Sequence, residues 1–316
     1  MYQEYYRFSE DPFNLNPDPK FLYLSLSHWK ALSAMVAGIK EKKGIMVITG
    51  EVGVGKTILI YKILEDLGER SKTAFIFNSS LIFENILRNI LQDLGVPVGE
   101  EEKDLLSLTL LFKKYLYEKL GREETVTIVM DEAQNLDHGV LQDLLNLSTL
   151  GPAGANFVQI LLVGHPALEV KLNSNTLHLF KEKIGLHRKI KPLMQEEGRK
   201  YINHRLALAG RNISEVFTTE AANRIWEFAG GIPRVINVLC NRALLIGYKN
   251  SCPTIDLKIV REAIQDLDHS RPRKSIALPS EHSSKLFSYK IMKILFFIFA
   301  VFILLVPLSK ILARLF

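Results

Sequence analysis

Between residues 44 and 193, short apolar runs alternate with longer segments whose apolar residues recur at helical spacing. The runs are GIMVITG (44–50), TAFIFNS (73–79), TVTIVMDEAQ (125–134), FVQILLVG (157–164) and a short HRKIKPL (187–193). A run that is apolar throughout and bounded by glycine or polar residues reads as a strand buried on both faces. The segments between predict helices over Lys56–Leu67, over LIFENILRNILQDLG with its stop at Gly95, over Leu105–Leu120 and near Val140–Leu147. GPAGAN (151–156) reads as a turn. Buried strands alternating with helices predict an α/β fold, with helices on both faces of a parallel sheet.

The pattern changes at both ends. EDPFNLNPDPKFLYLS is rich in turn residues and aromatics, and Pro12, Pro17 and Pro19 exclude a helix there. Trp29, Leu32, Met35, Val36 and Ile39 then fall at helical spacing over about Ser27–Lys40. After Pro192 the strands stop, and only helical patterns follow: Glu196–Ala209, Thr219–Phe228, Pro233–Lys249 and Leu257–Leu267. Thr218 or Thr219, Asp256 and the Pro233-Arg234 step suit helix starts. The expected organisation is an α/β domain over 1–194 and a small all-helical domain over 195–269. A Ser- and Pro-rich linker over 270–289, an apolar helix over 290–309 and a short tail over 310–316 complete the chain.

Composition narrows the class. The 316 residues are 47% hydrophobic and 23% charged, which allows a sizeable core and excludes global disorder. The formal net charge of +6 suits nucleic acid or an anionic membrane surface, and equally a mildly basic cytosolic surface. Cys240 and Cys252 make neither a disulfide framework nor a zinc site, and are expected in or near helical core. MYQEYYRFSEDPF lacks a basic stretch followed by an apolar one, so no signal peptide is expected and the main body is expected in the cytoplasm.

The chemistry concentrates at GEVGVGKT (50–57), which satisfies G-x-x-x-x-G-K-[ST] between a predicted strand and a predicted helix. Glycines there let successive backbone N–H groups turn inward around an anion, and the helix N-terminus adds its positive dipole end. Gly50, Glu51, Val52, Gly53, Val54, Gly55, Lys56 and Thr57, with Ile58 behind them, are the expected ATP-binding residues. Lys56 reaches the β and γ phosphates, and the Thr57 hydroxyl holds Mg²⁺. TIVMDEAQ supplies the acidic partner at the end of an apolar strand. Asp131 would sit beside Mg²⁺, and Glu132 would orient or activate the attacking water. These groups would converge at the carboxyl ends of the strands, where open α/β sheets bind ligands.

The pieces DPFNLNPDPKFLYLS, GEVGVGKT, DEAQNL, LVGHPAL, YINHRLALAG and GGIPRVINVLCNRALL resemble, in order and spacing, the AAA+ ATPase of general secretion pathway protein A, the ExeA type. The resemblance covers roughly residues 3–268. It implies a P-loop AAA+ sheet of order 5-1-4-3-2 with a helical lid, acting as a homo-oligomeric ring with nucleotide at subunit interfaces. It further implies coupling to the type II secretion machinery through an inner-membrane anchor, usually with a periplasmic peptidoglycan-binding domain. Relatives serve polysaccharide export and pilus assembly, and distant ones DNA transposition. Asn78 resembles the polar switch that hydrogen-bonds the catalytic glutamate, and Arg234 the lid arginine that touches the γ phosphate. His165 stands where the family usually has glutamine. Lys183 stands where an arginine is offered to the neighbouring subunit, and Arg188 is the nearest arginine. Lysine lacks the planar fork that suits phosphate, so ATP binding is expected more firmly than fast hydrolysis. Leu145 occupies another position where arginine is common.

The apolar run Ile294–Leu308, extended back past Lys293, approaches the ~20 residues of a spanning helix. Each Ile, Leu, Phe or Val contributes about −0.3 to −0.6 kcal/mol near the bilayer centre, and a lysine at the edge can snorkel. The linker before it argues against a helix buried in the body, and its lack of a polar face argues against one lying flat on the membrane. Lys285, Lys290 and Lys293 before the run, against Lys310 and Arg314 after it, agree with a cytoplasmic body. The expected location is the bacterial inner membrane, single-pass, and no wall-binding domain is expected within residues 309–316. Three functions follow. The first is a membrane-anchored ATPase that drives or regulates assembly of a secretion, pilus or polysaccharide-export system. The second is a nucleotide-gated scaffold with little hydrolysis. The third is a transposition-type DNA-linked ATPase, disfavoured by scattered Lys/Arg and by the apolar tail.

Overall fold

The computed structural model describes residues 2–67, 71–77, 82–99, 104–120, 125–150 and 156–270. In chain order, helices α1 (Tyr2–Tyr6) and α2 (Leu26–Lys40) precede strand β1 (Ile45–Gly50). Helix α3 (Lys56–Leu67), β2 (Ser71–Ile76), α4 (Phe83–Asp93), α5 (Leu105–Leu120) and β3 (Thr125–Met130) follow. Then come α6 (His138–Ser148), β4 (Val158–Gly164), α7 (Ala167–Leu172), α8 (His178–Glu182) and β5 (Ile184–Ile190). The chain continues as α9 (Gln195–Leu208), α10 (Ile213–Val216), α11 (Thr219–Ala229), α12 (Pro233–Lys249) and α13 (Leu257–Ser270).

The five strands form one sheet of order β2-β3-β4-β1-β5, with every pairing parallel. This is the expected 5-1-4-3-2 order. The apolar runs conceal a period of two. Ile45 and Val47 enter a core with α4, α5 and α6, while Met46 and Ile48 enter a second core with α2 and α3. Ile128 and Leu162 join the first core, and Val129 and Leu161 the second. Each fully buried Ile, Leu or Val contributes about 1.5–3 kcal/mol, so burial on both faces selects unbroken apolar strands.

The ends of three strands differ from the sequence expectation, and β3 stops at Met130, ahead of the DEAQ segment, because the backbone turns left-handed at Glu132. β2 starts at Ser71 rather than residue 73, because the Ser71 and Thr127 hydroxyls, 2.9 Å apart, satisfy each other inside the sheet. β5 starts at Ile184 rather than residue 187, paired with Ile45. Its pattern of half-buried and exposed residues is that of an edge strand, which an apolar-run criterion misses. The short helices α1, α7, α8 and α10 also carry too few residues for a periodic signal.

The lid is built from α9–α13, and its starts follow local rules. Thr218 Oγ1 accepts the Ala221 N–H at 3.2 Å, and Asp256 Oδ1 accepts the Ile259 N–H at 3.0 Å. Gly230 and Gly231, both at positive φ, close α11 before Pro233 opens α12. Cys240 is buried in this lid, and Cys252 is half-buried. Tyr6, Phe8 and Phe13 also bury in the lid core, so the N-terminal segment packs with the lid although it precedes the sheet in the chain. Arg205 ties it there. This buried guanidinium donates to the carbonyls of Pro12 (2.5 Å) and Asn14 (3.1 Å) and stacks 4.5 Å from the Phe21 ring centre. Met1–Leu267 form one compact unit, so sheet and lid are parts of a single body.

Among the described residues no helix is long and apolar enough to cross a membrane. Helix α13 reaches Ser270, and the span expected at 290–309 lies outside the described residues.

Candidate nucleotide-binding site

The cradle grows out of β1 and delivers the chain into α3. Gly53 and Gly55 take φ +82 and +106, a region that side-chain-bearing residues rarely adopt. Gly53 also lacks room: a Cβ there would lie 2.7 Å from the Cβ of Arg234. The first turn of α3 points its free N–H groups into the cleft, as every helix start does.

Lys56 is buried, and its ammonium donates to the carbonyls of Gly50 (2.9 Å) and Glu51 (3.0 Å). Burial pulls its pKa below the ordinary lysine value, opposed by Glu132, Asp131 and Glu51. The Thr57 hydroxyl donates to Asp131 Oδ2 at 2.9 Å. Asp131 itself is buried at the end of β3, where its N–H still joins the sheet through the Ile76 carbonyl at 3.1 Å. Burial pushes its carboxyl pKa up, while the Thr57 hydroxyl, the Glu132 N–H and Lys56 pull it down.

One residue later the chain leaves the sheet. Glu132 adopts φ 52 and ψ 36, the left-handed region, at a cost of about 1–3 kcal/mol for a non-glycine residue. That turn sends its side chain out to solvent while Asp131 stays buried. Gln134 steadies it, donating to Glu132 Oε2 at 2.5 Å and accepting the His165 N–H at 2.9 Å. Gly164 makes this possible, since a Cβ there would meet Gln134 Oε1 at 2.8 Å. Lys171 of α7 holds the same loop through the carbonyls of Gln134 (2.5 Å) and Leu136 (2.6 Å).

His165 faces the cradle. Its Nδ1 accepts the Ala167 N–H at 3.3 Å, which leaves Nε2 to meet Glu51 Oε2 at 3.3 Å. Arg234 lines the cleft from the lid, and its backbone N–H donates to the Gly53 carbonyl at 3.1 Å. Lys183 is not brought to this site. It is exposed beside Ile184, at the opposite end of β5 from Ile190, which pairs with Gly50. Seven residues of strand separate those ends by about 20 Å. Arg188 is exposed on the same strand and donates to the His187 carbonyl. Leu145 is buried in α6, within the first core. Asn78 lies outside the described residues.

A cleft of about 510 Å³ joins these parts. Val52–Ile58, Asp131 and Glu132 line it, and Leu22, Tyr23, Tyr201 and Asn237 continue the wall. Sequence reasoning missed three of its supports. Asn237 is buried, and its Oδ1 accepts from the Tyr201 hydroxyl at 2.8 Å, which orients its amide N–H₂ as a donor. Arg205 donates in turn to that hydroxyl at 3.0 Å. The third, His28, sits three residues after Ser25, the helix-capping serine, and that spacing is its one sequence signal.

Burial holds the His28 imidazole below its ordinary value of 6.5, against the pull of the Val54 carbonyl and Glu197. His204, half-buried beside Arg205, is shifted the same way, by desolvation first and the Arg205 charge second. The unfolded chain therefore takes up protons near pH 6.5 that the folded chain refuses, and stability falls as pH drops through that value. Thermal midpoints at about pH 7.5 and 5.5 measure the loss, which is expected to shrink in His28→Gln.

The cradle residues fit a nucleotide: a buried cation, the free N–H groups of the first turn of α3, and a hydroxyl beside a buried carboxylate. Among the described residues no three His, Cys, Asp or Glu side chains converge on a metal site, so Thr57 and Asp131 could hold a metal only with phosphate and water completing its shell.

Residues 39–172 match the AAA domain family. Over 248 residues the chain is 32% identical to general secretion pathway protein A of Aeromonas hydrophila, covering 78% of this chain and 45% of that one. The chain thus spans less than half the length of that relative. The fold is similar to the Aeropyrum pernix ORC2 protein in its ADPNP-ADP complexes: TM-score 0.63, 19% identity, 82% of this chain and 72% of that one. Cdc6p from Pyrobaculum aerophilum gives TM-score 0.61 at 17% identity, over 82% and 71% of the two chains. Such identities speak for the fold alone. The cradle, the sheet order and the secretion-pathway relative agree: residues 39–172 are an AAA domain, and the chain is similar to the general secretion pathway protein A type.

Proposed function

We propose that this chain binds ATP with Mg²⁺ and hydrolyses it to drive or regulate assembly of a secretion, pilus or polysaccharide-export system. The carrying observation is the convergence of Lys56, Thr57, Asp131 and Glu132 on one cleft at the carboxyl ends of β1 and β3. Lys56 and the α3 amides bind phosphate, and Thr57 and Asp131 hold the metal, which neutralises charge that builds on the phosphate oxygens. Glu132 takes the proton of the attacking water. Arg234 adds a cation from the lid, and Asn78 and His165 complete the polar surround. Titration of the purified full-length chain with ATP tests the binding half, and micromolar affinity is the expected result.

The body acts in the cytoplasm as a homo-oligomeric ring, and residues 290–309 anchor it to the bacterial inner membrane, where its export partners reside. The relative's name, general secretion pathway protein A, supports this reading. Deleting residues 286–316 is expected to move the protein from the membrane pellet to the supernatant. Persistent sedimentation with membranes would show that another surface is the anchor.

One observation favours a second reading, a nucleotide-gated scaffold. Lys183 is about 20 Å along β5 from its own cradle, so it serves only a neighbour, and as a lysine it lacks the arginine fork. A turnover well below one per minute with saturating ATP would select the scaffold.

A further inference from the structure

We infer that His28 is a positioning residue of the phosphate cradle, holding the Val54 carbonyl so that the Gly55 N–H faces the phosphates. The inference rests on the ATP-binding reading above and assigns a role to a residue outside the cradle motif.

His28 and Ser25 are both buried, at 3% and 2% exposure. Ser25 Oγ accepts the His28 backbone N–H at 3.4 Å and lies 2.6 Å from His28 Nδ1. With Oγ accepting from the backbone, its own hydrogen is free to donate to Nδ1. The ring's other nitrogen, Nε2, is 2.7 Å from the Val54 carbonyl. A carbonyl only accepts, so Nε2 carries the proton and the tautomer is determined.

The consequence follows from peptide geometry. In a planar trans peptide the C=O of one residue and the N–H of the next point in opposite directions. Drawing the Val54 carbonyl toward α2 therefore turns the Gly55 N–H away from α2, into the cleft. The clamp is close: a Cβ on Gly55 would lie 3.0 Å from His28 Nε2. Val54 is fully buried, and its N–H makes a long, 3.4 Å contact to the Glu51 carbonyl. With both flanking glycines at positive φ, this peptide has little intrinsic preference of its own. His28 supplies the preference, so the cradle need not order itself when phosphate arrives.

The test compares three variants of the full-length chain by ATP dissociation constant and by thermal midpoint without nucleotide. His28→Leu keeps apolar bulk but strands the Val54 carbonyl, and is expected to raise the dissociation constant about tenfold. His28→Gln keeps an N–H donor and is expected to return within about threefold of wild type. Ser25→Ala frees the ring and should raise the constant about threefold, deciding the matter if His28→Leu does not fold. Wild-type affinity in His28→Leu overturns the inference. So does a His28→Gln that recovers stability but no affinity, or unchanged affinity in a folded Ser25→Ala. Each of these leaves ATP binding by the wild-type chain intact, whereas a wild-type chain that binds no ATP overturns both readings.

Discussion

Lys56→Ala is expected to abolish measurable ATP binding, the largest effect of any single substitution in this chain. The ammonium is buried in the cradle and already directed at its carbonyls, so little ordering is needed to meet phosphate. A charged hydrogen bond is worth about 1.5–3 kcal/mol, and two of them lost to phosphate oxygens lower affinity by roughly 10²–10⁴. Alanine also leaves Asp131, Glu132 and Glu51 without the cation that faces them all, so they repel an anionic ligand. Titration with a fluorescent ATP analogue measures the loss, and the midpoint of thermal unfolding without nucleotide checks that the fold survives. Retained micromolar affinity would sink the cradle assignment.

Glu132→Gln should separate binding from chemistry. The substitution keeps size and the contact with Gln134 while removing the base, so affinity stays near wild type and turnover falls about 10²–10⁴-fold. The backbone argues for this role. A glutamate held in the left-handed region costs stability, and the Gln134 and Lys171 contacts keep the loop there nonetheless. Steady-state phosphate release beside an equilibrium binding curve reads both quantities. Unchanged hydrolysis would remove Glu132 from the reaction and point to another base.

The two experiments also divide the proposed functions. A chain that binds ATP and loses hydrolysis only on Glu132→Gln is a motor or regulator. A chain that binds ATP and turns over at the same low rate in both forms is a scaffold, and Lys183 is then the residue to replace with arginine. The His28 clamp bears on both, because cradle order sets affinity whichever way the bound nucleotide is used.

Much of the fold is legible because its signals are local. An apolar hexapeptide such as IMVITG bounded by glycine has few places to go except the middle of a sheet, and GEVGVGKT carries its conformation in its glycines. Thr218, Asp256 and Pro233 mark their helices for the same reason, each acting on a backbone group within a few residues. The edge strand β5 is less legible, because exposure of alternate residues erases the apolar run. The short helices around it are packed into place without a periodic signal of their own.

By itself the sequence determined the α/β class, the helical lid, the cradle with Lys56 and Thr57, and the acidic pair Asp131 and Glu132. All of these rest on interactions between residues close in the chain. Only the tertiary structure decided the rest. It gave the N-terminal aromatics to the lid through Arg205, which reaches back to the Pro12 and Asn14 carbonyls. It set His165 against Glu51, joined Gln134 to both Glu132 and the end of β4, and left Lys183 at the far end of β5. It also brought His28 onto the cradle's Val54 carbonyl. Those contacts join segments distant in the chain, most of them tens of residues apart, where no spacing rule operates, and only the parallel sheet's register and the packing of the lid bring them within hydrogen-bond reach.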